Sequence, residues 1–253
     1  MEKKKILPVI IFFFAISSTG VSQYRSDRLA KADSLYKNFH ESEALEQYSS
    51  VLKEDPDHYL ALWRSSFLYS RIGFRLDEEE QQRQHYNRAI KLAERALHLD
   101  STDTQSNFVM AVAMGRKAMI SGAKGRVQAS RAIKKYAERA LKADSMHAGA
   151  LHVLGRWHYK VANLNFLERA AANTLFDGVP AAREEKALRY LQKAVNLKPS
   201  YILYRYDLAR VYKHVGKEQL AVDTCIKALD LKLLAPDDDA IQQNCRKLIE
   251  TIQ

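Results

Sequence analysis

The chain has 253 residues, of which 47% are hydrophobic and 28% charged, and its formal net charge is +10. Two cysteines are too few for a disulfide-stapled scaffold. A length above that of one average domain allows one or two domains. After the first 23 residues no apolar run is long enough to span a bilayer, so we expect the mature chain to be soluble.

The N-terminus has the three-part layout of a secretory signal. Three lysines (3–5) precede an apolar run (6–16), and small or polar residues follow (17–23). The run is too short for a transmembrane helix, which needs about 20 residues. We predict a signal peptide over 1–22 and a helical-repeat domain over 23–253, in the periplasm of a Gram-negative bacterium or outside the cell. A retained N-terminal anchor is the alternative.

One helix sequence recurs five times along the rest of the chain. The five segments are EALEQYSSVLKEDPD, RAIKLAERALHLDST, RAIKKYAERALKADS, KALRYLQKAVNLKPS and LAVDTCIKALDLKLL. When the five segments are aligned, each has a small or β-branched residue at one position and another seven positions later. Pro or Ser commonly stands five positions after the second of these, where one helix should end and the next begin. A second small residue stands ten places beyond each of the first four terminators. This is the two-helix tetratricopeptide pattern, with a unit of 34 residues.

The repeat spacing predicts an all-α solenoid with enlarged units. The aligned small residues are 45, 44, 54 and 34 positions apart, so the excess falls between the two helices of repeats two, three and four. We expect about five hairpins and a closing helix from about Asp237 to Ile252 with a polar outer side, as a terminal cap requires. The acidic run at 77–80 is interpreted as a solvated helix start or loop.

Positive charge is concentrated in the middle of the chain. Residues 116–142 contain nine Lys or Arg and a single Glu, a net charge of +8, whereas the rest is close to neutral. Such a concentration predicts local attraction to an anionic partner. The candidate basic patch comprises Lys124, Arg126, Arg131, Lys134 and Lys135.

The fourth repeat carries a more specific pattern. Its characteristic residues are Leu154, Gly155, Arg156, Trp157, Tyr159, Val161, Ala162, Leu164, Glu168, Arg169, Ala172, Leu175, Phe176 and Pro180. They resemble the signature segment of the regulator of microtubule dynamics proteins, and the likeness runs from about Leu62 to the C-terminus. Phe166 stands where that family usually has Trp. The resemblance implies a tetratricopeptide-like domain with similarly enlarged repeats.

The resemblance also suggests a role for the extra stretch in repeat four. Residues 163–177 are expected to form an additional helix, held in place by Glu168 or Arg169. This helix would narrow the groove of the solenoid or form its floor. Its apolar side chains would then pack against the solenoid: Leu164, Phe166, Leu167, Leu175 and Phe176. The alternative is that these residues fill an irregular core.

Near the C-terminus, Cys225 and Cys245 are placed almost symmetrically about the last predicted turn. An antiparallel helix pair would therefore bring them together as a possible disulfide, and two buried free thiols are the alternative.

No enzymatic constellation is recognisable. His152 and His158 lie six apart, on opposing helix faces, which does not suit a metal pair. The glycines around Lys124 lack the spacing of a nucleotide loop, and no Gly-x-Ser-x-Gly motif occurs. We therefore expect a non-enzyme without cofactors.

Stacked helix pairs leave a concave surface lined by the first helix of each pair. The repeat register assigns an aromatic and basic lining to it: Tyr36, Lys37, Trp63, Phe67, Arg71, Phe108, Arg116, His152, Arg156, Tyr159, Lys160, Tyr206, Arg210 and Lys213. Such a groove suits an acidic or C-terminal peptide of another exported or envelope protein. The alternative is a carrier of a lipid or other amphiphile, whose anionic head group would meet the basic patch. Nucleic acid is not expected, because the basic segment lacks a recognised nucleic-acid fold.

Overall fold

The structure, a computed structural model, describes residues 18–176 and 181–252, and every regular element in these ranges is an α-helix. The helices are α1 (Ser18–Lys37), α2 (Glu41–Glu54), α3 (Tyr59–Phe74), α4 (Glu79–Leu99), α5 (Thr104–Met119), α6 (Ala123–Ala143), α7 (Ala148–Ala162), α8 (Phe166–Phe176), α9 (Glu184–Leu197), α10 (Ile202–His214), α11 (Glu218–Leu229) and α12 (Asp238–Glu250).

Consecutive helices pack as antiparallel hairpins that stack into a solenoid. The pairs are α1 with α2, α3 with α4, α5 with α6, α7 with α9, and α10 with α11, while α12 closes the stack against α10 and α11. The predicted all-α solenoid of five hairpins and a capping helix is therefore confirmed.

Most of the signal segment predicted for 1–22 lies outside the described residues, so it stays a prediction. Within the described part of the chain, none of the helices combines the length and apolar character needed to cross a bilayer.

The recurring small residues set the distance between paired helices. Ala44, Ala89, Ala187 and Ala221 are fully buried, as are the residues seven positions after each of them. Gly155 is more restricted still, because a Cβ atom built on it would stand 2.7 Å from Cγ of Leu191. Helices α7 and α9 could not approach so closely with any larger residue at this position.

Helix starts are defined by side chains just after the predicted terminators. Asp103 accepts hydrogen bonds from the backbone N–H groups of Gln105 and Ser106, which caps α5. His58 and His147 cap α3 and α7 in a similar way, each through one backbone N–H three residues later. Two of the repeat boundaries thus use a histidine as the N-terminal cap, an uncommon choice for this position.

The extra residues of repeats two and three lengthen a helix instead of forming a separate insert. Helices α4 and α6 contain 21 residues each, compared with 14 in α2 and α9. The acidic run at 77–80 leads into the exposed start of α4, as expected. In repeat four the excess forms the separate helix α8, packed on α6.

The additional helix is confirmed, but the predicted packing of its first apolar residues is wrong. Phe166 is 82% exposed and Leu167 68% exposed, whereas Leu164 packs on the core. The face turned inward instead presents Glu168 and the fully buried Ala172, which lie one helical turn apart. The side chains of 175 and 176 lie outside the described residues.

The two cysteines meet between α11 and α12. Both are fully buried free thiols, and a hydrogen bond joins the two side chains. That bond and burial together raise the pKa of Cys245. The structure describes the pair as unbridged, and the possible disulfide stays a prediction.

One buried histidine makes the stability of the fold depend on pH. His158 is 3% exposed and stacks on Tyr190, with Trp157 against its edge. Burial, aided by the nearby charge of Lys186, lowers its pKa to about 4. An unfolded histidine takes up a proton below about pH 6.5, which the folded one resists. The stability that neutral, buried His158 contributes is therefore fully present above pH 6.5, and it is lost as the pH falls towards 4.

We therefore expect the free energy of unfolding to fall by about 2–3 kcal/mol through His158 between pH 7 and pH 4. Urea unfolding at both pH values would measure it. The variant His158→Phe should show a pH dependence smaller by that amount; an unchanged dependence would contradict the assignment.

Candidate functional site

A cavity of about 690 Å³ occupies the concave side of the solenoid. Residues of α3, α5, α6, α7 and α8 and of the start of α10 line it. Its volume lies within the roughly 300–1,000 Å³ of small-ligand sites. We call it the central cavity.

Much of the central cavity is apolar. Its wall includes Val112, Ile133, Val153, Trp157 and Leu164. The indole N–H of Trp157 donates to both the carbonyl and the hydroxyl oxygen of Ser130, each at 2.8 Å. That fixes the orientation of the ring, which is only 4% exposed.

The cationic side of the central cavity begins with Arg116. Its guanidinium carbon lies 3.8 Å above the ring of Phe74, and one of its nitrogens lies 3.8 Å from the sulfur of Met119. No carboxylate in the described part of the chain forms an ion pair with it. Burial and the neighbouring Arg156 lower the pKa of Arg116 to about 10. A partly buried positive charge beside another cation favours an anionic ligand.

Arg156 and Lys160 extend the cationic side of the cavity along α7, where they lie one and two turns after His152. Arg156 lies 3.5 Å from the buried carboxylate of Asp207, which also accepts a 2.8 Å hydrogen bond from His152 Nε2. Burial alone would raise the pKa of Asp207, but Arg156 and His152 hold it well below its usual range. Burial, together with Arg210 and Arg156, lowers the pKa of Lys160. Asp207 thus balances part of the positive charge without entering the cavity lining.

A buried ionic cluster joins the two ends of the solenoid beside the central cavity. Arg71 of α3 pairs with Glu41 and donates to the hydroxyl of Tyr201 at 2.7 Å. Arg75 bridges Glu41 at 2.6 Å and Asp237 at 2.8 Å. We call Glu41, Arg71, Arg75 and Asp237 the clasp. Among the described helices, α1–α3 do not pack against α10–α12, so side chains alone make this connection.

The central cavity brings together part of the predicted groove. Seven of the predicted residues line it: Phe67, Arg71, Phe108, Arg116, His152, Arg156 and Lys160. The other seven are not part of this lining: Trp63, Tyr159, Tyr206, Arg210, Lys213, Tyr36 and Lys37.

Several of the remaining predicted groove residues have structural partners elsewhere. Trp63 stacks under Arg64, Tyr159 packs edge-on against His214, and Arg210 lies 3.5 Å from Asp207. Lys213 donates to Thr251 near the C-terminus. The register placed these residues on helices that line the solenoid, but their side chains pack on core clusters or pair with other residues instead of lining the cavity.

The predicted basic patch is spread along α6. Arg126 reaches the central cavity and pairs with Glu168 at 2.8 Å. Lys134 and Lys135 lie over the rings of Trp157 and Tyr136, and Lys124 and Arg131 are exposed. Of the five residues of the patch, Arg126 alone lines the cavity.

Sequence reasoning missed the contribution of α10 and of the aliphatic wall. Tyr201, Leu203 and Tyr204 line the cavity from the start of α10. Tyr204 stacks on His152 with ring centroids 4.4 Å apart. The aromatic pair shortly after Pro199 was the available signal. Among the described residues there is no cluster of three or more His, Cys, Asp or Glu suited to hold a metal ion.

Solved structures agree with the repeat architecture. A thermophilic TPR protein of Thermus thermophilus superposes with a TM-score of 0.61 at 16% identity, over 89% of this chain and 99% of that one. At this identity the likeness concerns the fold alone.

Relatives in sequence point to one family. The chain is 29% identical to regulator of microtubule dynamics protein 1 of Mus musculus over 224 residues, 87% of this chain and 72% of that protein. It is 28% identical to regulator of microtubule dynamics protein 3 of Xenopus laevis over 72% of this chain, but spans only 40% of that relative's length. The profile of the family described as Regulator of microtubule dynamics protein 1-3 matches residues 28–253. The chain therefore belongs to the Regulator of microtubule dynamics protein 1-3 family.

Proposed function

We propose that this protein is a non-catalytic binding module whose central cavity takes an acidic or C-terminal segment of a partner protein. Helical-repeat folds present concave surfaces suited to extended ligands. The observation that carries the proposal is Arg116, a partly buried cation without a carboxylate partner in the described chain, next to Arg156 and an apolar wall. A peptide carboxylate would neutralise both arginines while an adjacent apolar side chain packs near Trp157. We further propose that the partner is an exported or envelope protein, in line with the signal predicted for 1–22.

A carrier of an anionic lipid or other amphiphile is the second candidate. The apolar wall of the central cavity and the participation of α8 favour it. Native mass spectrometry of protein purified from its own exported fraction separates the two candidates. A retained small amphiphile at unit stoichiometry would support the carrier, and a co-purifying polypeptide would support the peptide-binding module.

The peptide proposal is tested with two pools of short acidic peptides that differ only at the C-terminus, one a free carboxylate and the other an amide. Losing one charge-assisted contact should weaken binding by roughly 10–100-fold. We expect Arg116→Ala and Arg156→Ala each to lose this much affinity, as measured by calorimetry. Lys213→Ala, outside the cavity, is the matched control. Equal affinities for wild type and both cavity variants would refute the site, and equal affinities for the two pools would restrict the ligand to internal acidic segments.

A further inference from the structure

The start of α8 exposes an apolar pair beside α6. Phe166 and Leu167 are the two most exposed large apolar side chains of the described residues, and Met119 is 52% exposed. Scattered exposed apolar residues are ordinary on a protein surface, but adjacent ones this exposed mark an interaction site. Nothing in the cavity function requires them, since their side chains do not line the cavity.

These side chains lie where α5 ends and where α6 and α8 begin. Met119 ends α5 and Arg126 lies in the first turn of α6. Asn165 and Glu168 flank the exposed pair. All four residues line the central cavity. The 2.8 Å pair between Arg126 and Glu168 fastens the start of α8 to α6. We define residues 117–126 and 160–169 as the α8 tip.

The α8 tip is strongly basic. It contains five cations and one carboxylate, Glu168, which Arg126 already neutralises. The cations are Lys117, Lys124, Arg126, Lys160 and Arg169. Glu184 of α9 also touches the tip through Asn163, but its carboxylate contacts His214 as well. The acidic residue that follows α6, Asp144, lies about 30 Å away at the far end of that 21-residue helix.

Hydrogen bonds also fix the start of α8, which carries Phe166 and Leu167, to the neighbouring part of the chain. Arg169 donates to the carbonyl oxygens of Ala162 and Leu164, each at 3.1 Å, and so ties α8 to the end of α7. Asn165 and Glu168 exchange hydrogen bonds between side chain and backbone, which closes a capping box at the N-terminus of α8. The exposed pair therefore stands on a structured turn.

We propose that the α8 tip docks on an anionic membrane surface. Phe166 and Leu167 would enter the boundary between head groups and acyl chains, where an apolar tip gains most from leaving water. Lys117 and Lys124 would meet anionic head groups, with their methylene stems lying along the interface. Charge complementarity favours a bilayer over a second copy of this chain, whose corresponding tip would carry the same positive charge. The inserting pair, Phe166 and Leu167, is separate from the cavity lining, although the tip borders the cavity.

The test uses the full chain, so that any contribution of the N-terminal segment is common to all variants. Binding to vesicles of phosphatidylcholine with phosphatidylglycerol is compared with binding to pure phosphatidylcholine by co-sedimentation. We expect Phe166→Ser with Leu167→Ser to reduce partitioning onto the anionic vesicles by about tenfold. The matched control is Leu233→Ser with Leu234→Ser, which removes two half-exposed leucines before α12 and should leave partitioning unchanged.

A local reporter completes the experiment. The emission of Phe166→Trp should shift to the blue on anionic vesicles and be quenched by brominated lipid, whereas that of Leu233→Trp should not. Equal partitioning of the Phe166/Leu167 variant and wild type, or an unshifted Phe166→Trp signal, would overturn the proposal. Concentration-dependent dimerisation that this variant abolishes, without vesicle binding, would overturn it in favour of a second copy. Arg156→Ala should bind vesicles normally, which separates this surface from the cavity.

Discussion

Replacing Arg71 by Met should lower the free energy of unfolding by about 3 kcal/mol. Arg71 is 6% exposed and Glu41 5% exposed, so the substitution removes one member of a buried ionic cluster and leaves a carboxylate in a dry environment. Breaking a buried pair typically costs about 3–5 kcal/mol. Arg75, which still reaches Glu41 and Asp237, keeps the expected loss at the lower end.

The same substitution should loosen the closure of the solenoid. Because no described helix of the first hairpins packs on α10–α12, the clasp and its contact to Tyr201 hold the ends together. Urea unfolding would measure the stability, and small-angle scattering would report an increased radius of gyration. Arg83→Ala, which removes an exposed pair with Glu79, is the control and should cost below about 0.5 kcal/mol. A change in stability no larger than that control would show that the clasp is not a stabilising element.

Replacing Asp207 by Asn should change stability and ligand binding in opposite directions. The buried carboxylate accepts from His152 and offsets the charges of Arg156 and Arg210. Losing it should lower the free energy of unfolding by about 3 kcal/mol, because a charge-assisted bond disappears and the cations repel. The same loss frees Arg156, so an anionic ligand of the central cavity should bind more tightly.

Unfolding curves and peptide calorimetry on one preparation would test both parts. Since the folded pKa of Asp207 is depressed, its contribution to stability is present above the unfolded value near about 3.9 and is lost at lower pH. The wild type and Asp207→Asn should therefore converge in stability on acidification. Asp57→Ala, whose carboxylate is exposed, should affect neither quantity by more than about 0.5 kcal/mol. Weaker peptide binding by Asp207→Asn would argue against the cavity as an anion site.

The clasp and the cavity are parts of one arrangement. Arg71 and Tyr201 belong to the junction between the two ends and also line the cavity. An anionic ligand reaching Arg71 would compete with Glu41, so cavity occupancy and closure of the solenoid are expected to be coupled through this residue.

The sequence by itself determined the repeat architecture. Small residues recurring at helical spacing let helices pack closely, and Ala44, Ala89 and Gly155 occupy the interfaces that the spacing predicted. The closing helix followed from the same pattern, whereas the extra helix of repeat four was suggested by the family resemblance, which agreed with the profile match over 28–253.

Tertiary structure alone decided which side chains meet. Periodicity assigns a residue to a helix face, but the packing of neighbouring helices decides whether its side chain lines the cavity, as for Arg156, or meets another partner, as for Lys213. The clasp joins Glu41 and Asp237, residues 196 positions apart. The exposed Phe166 shows the same limit, because burial depends on what neighbouring helices leave uncovered, and the local sequence records only that the residue is apolar.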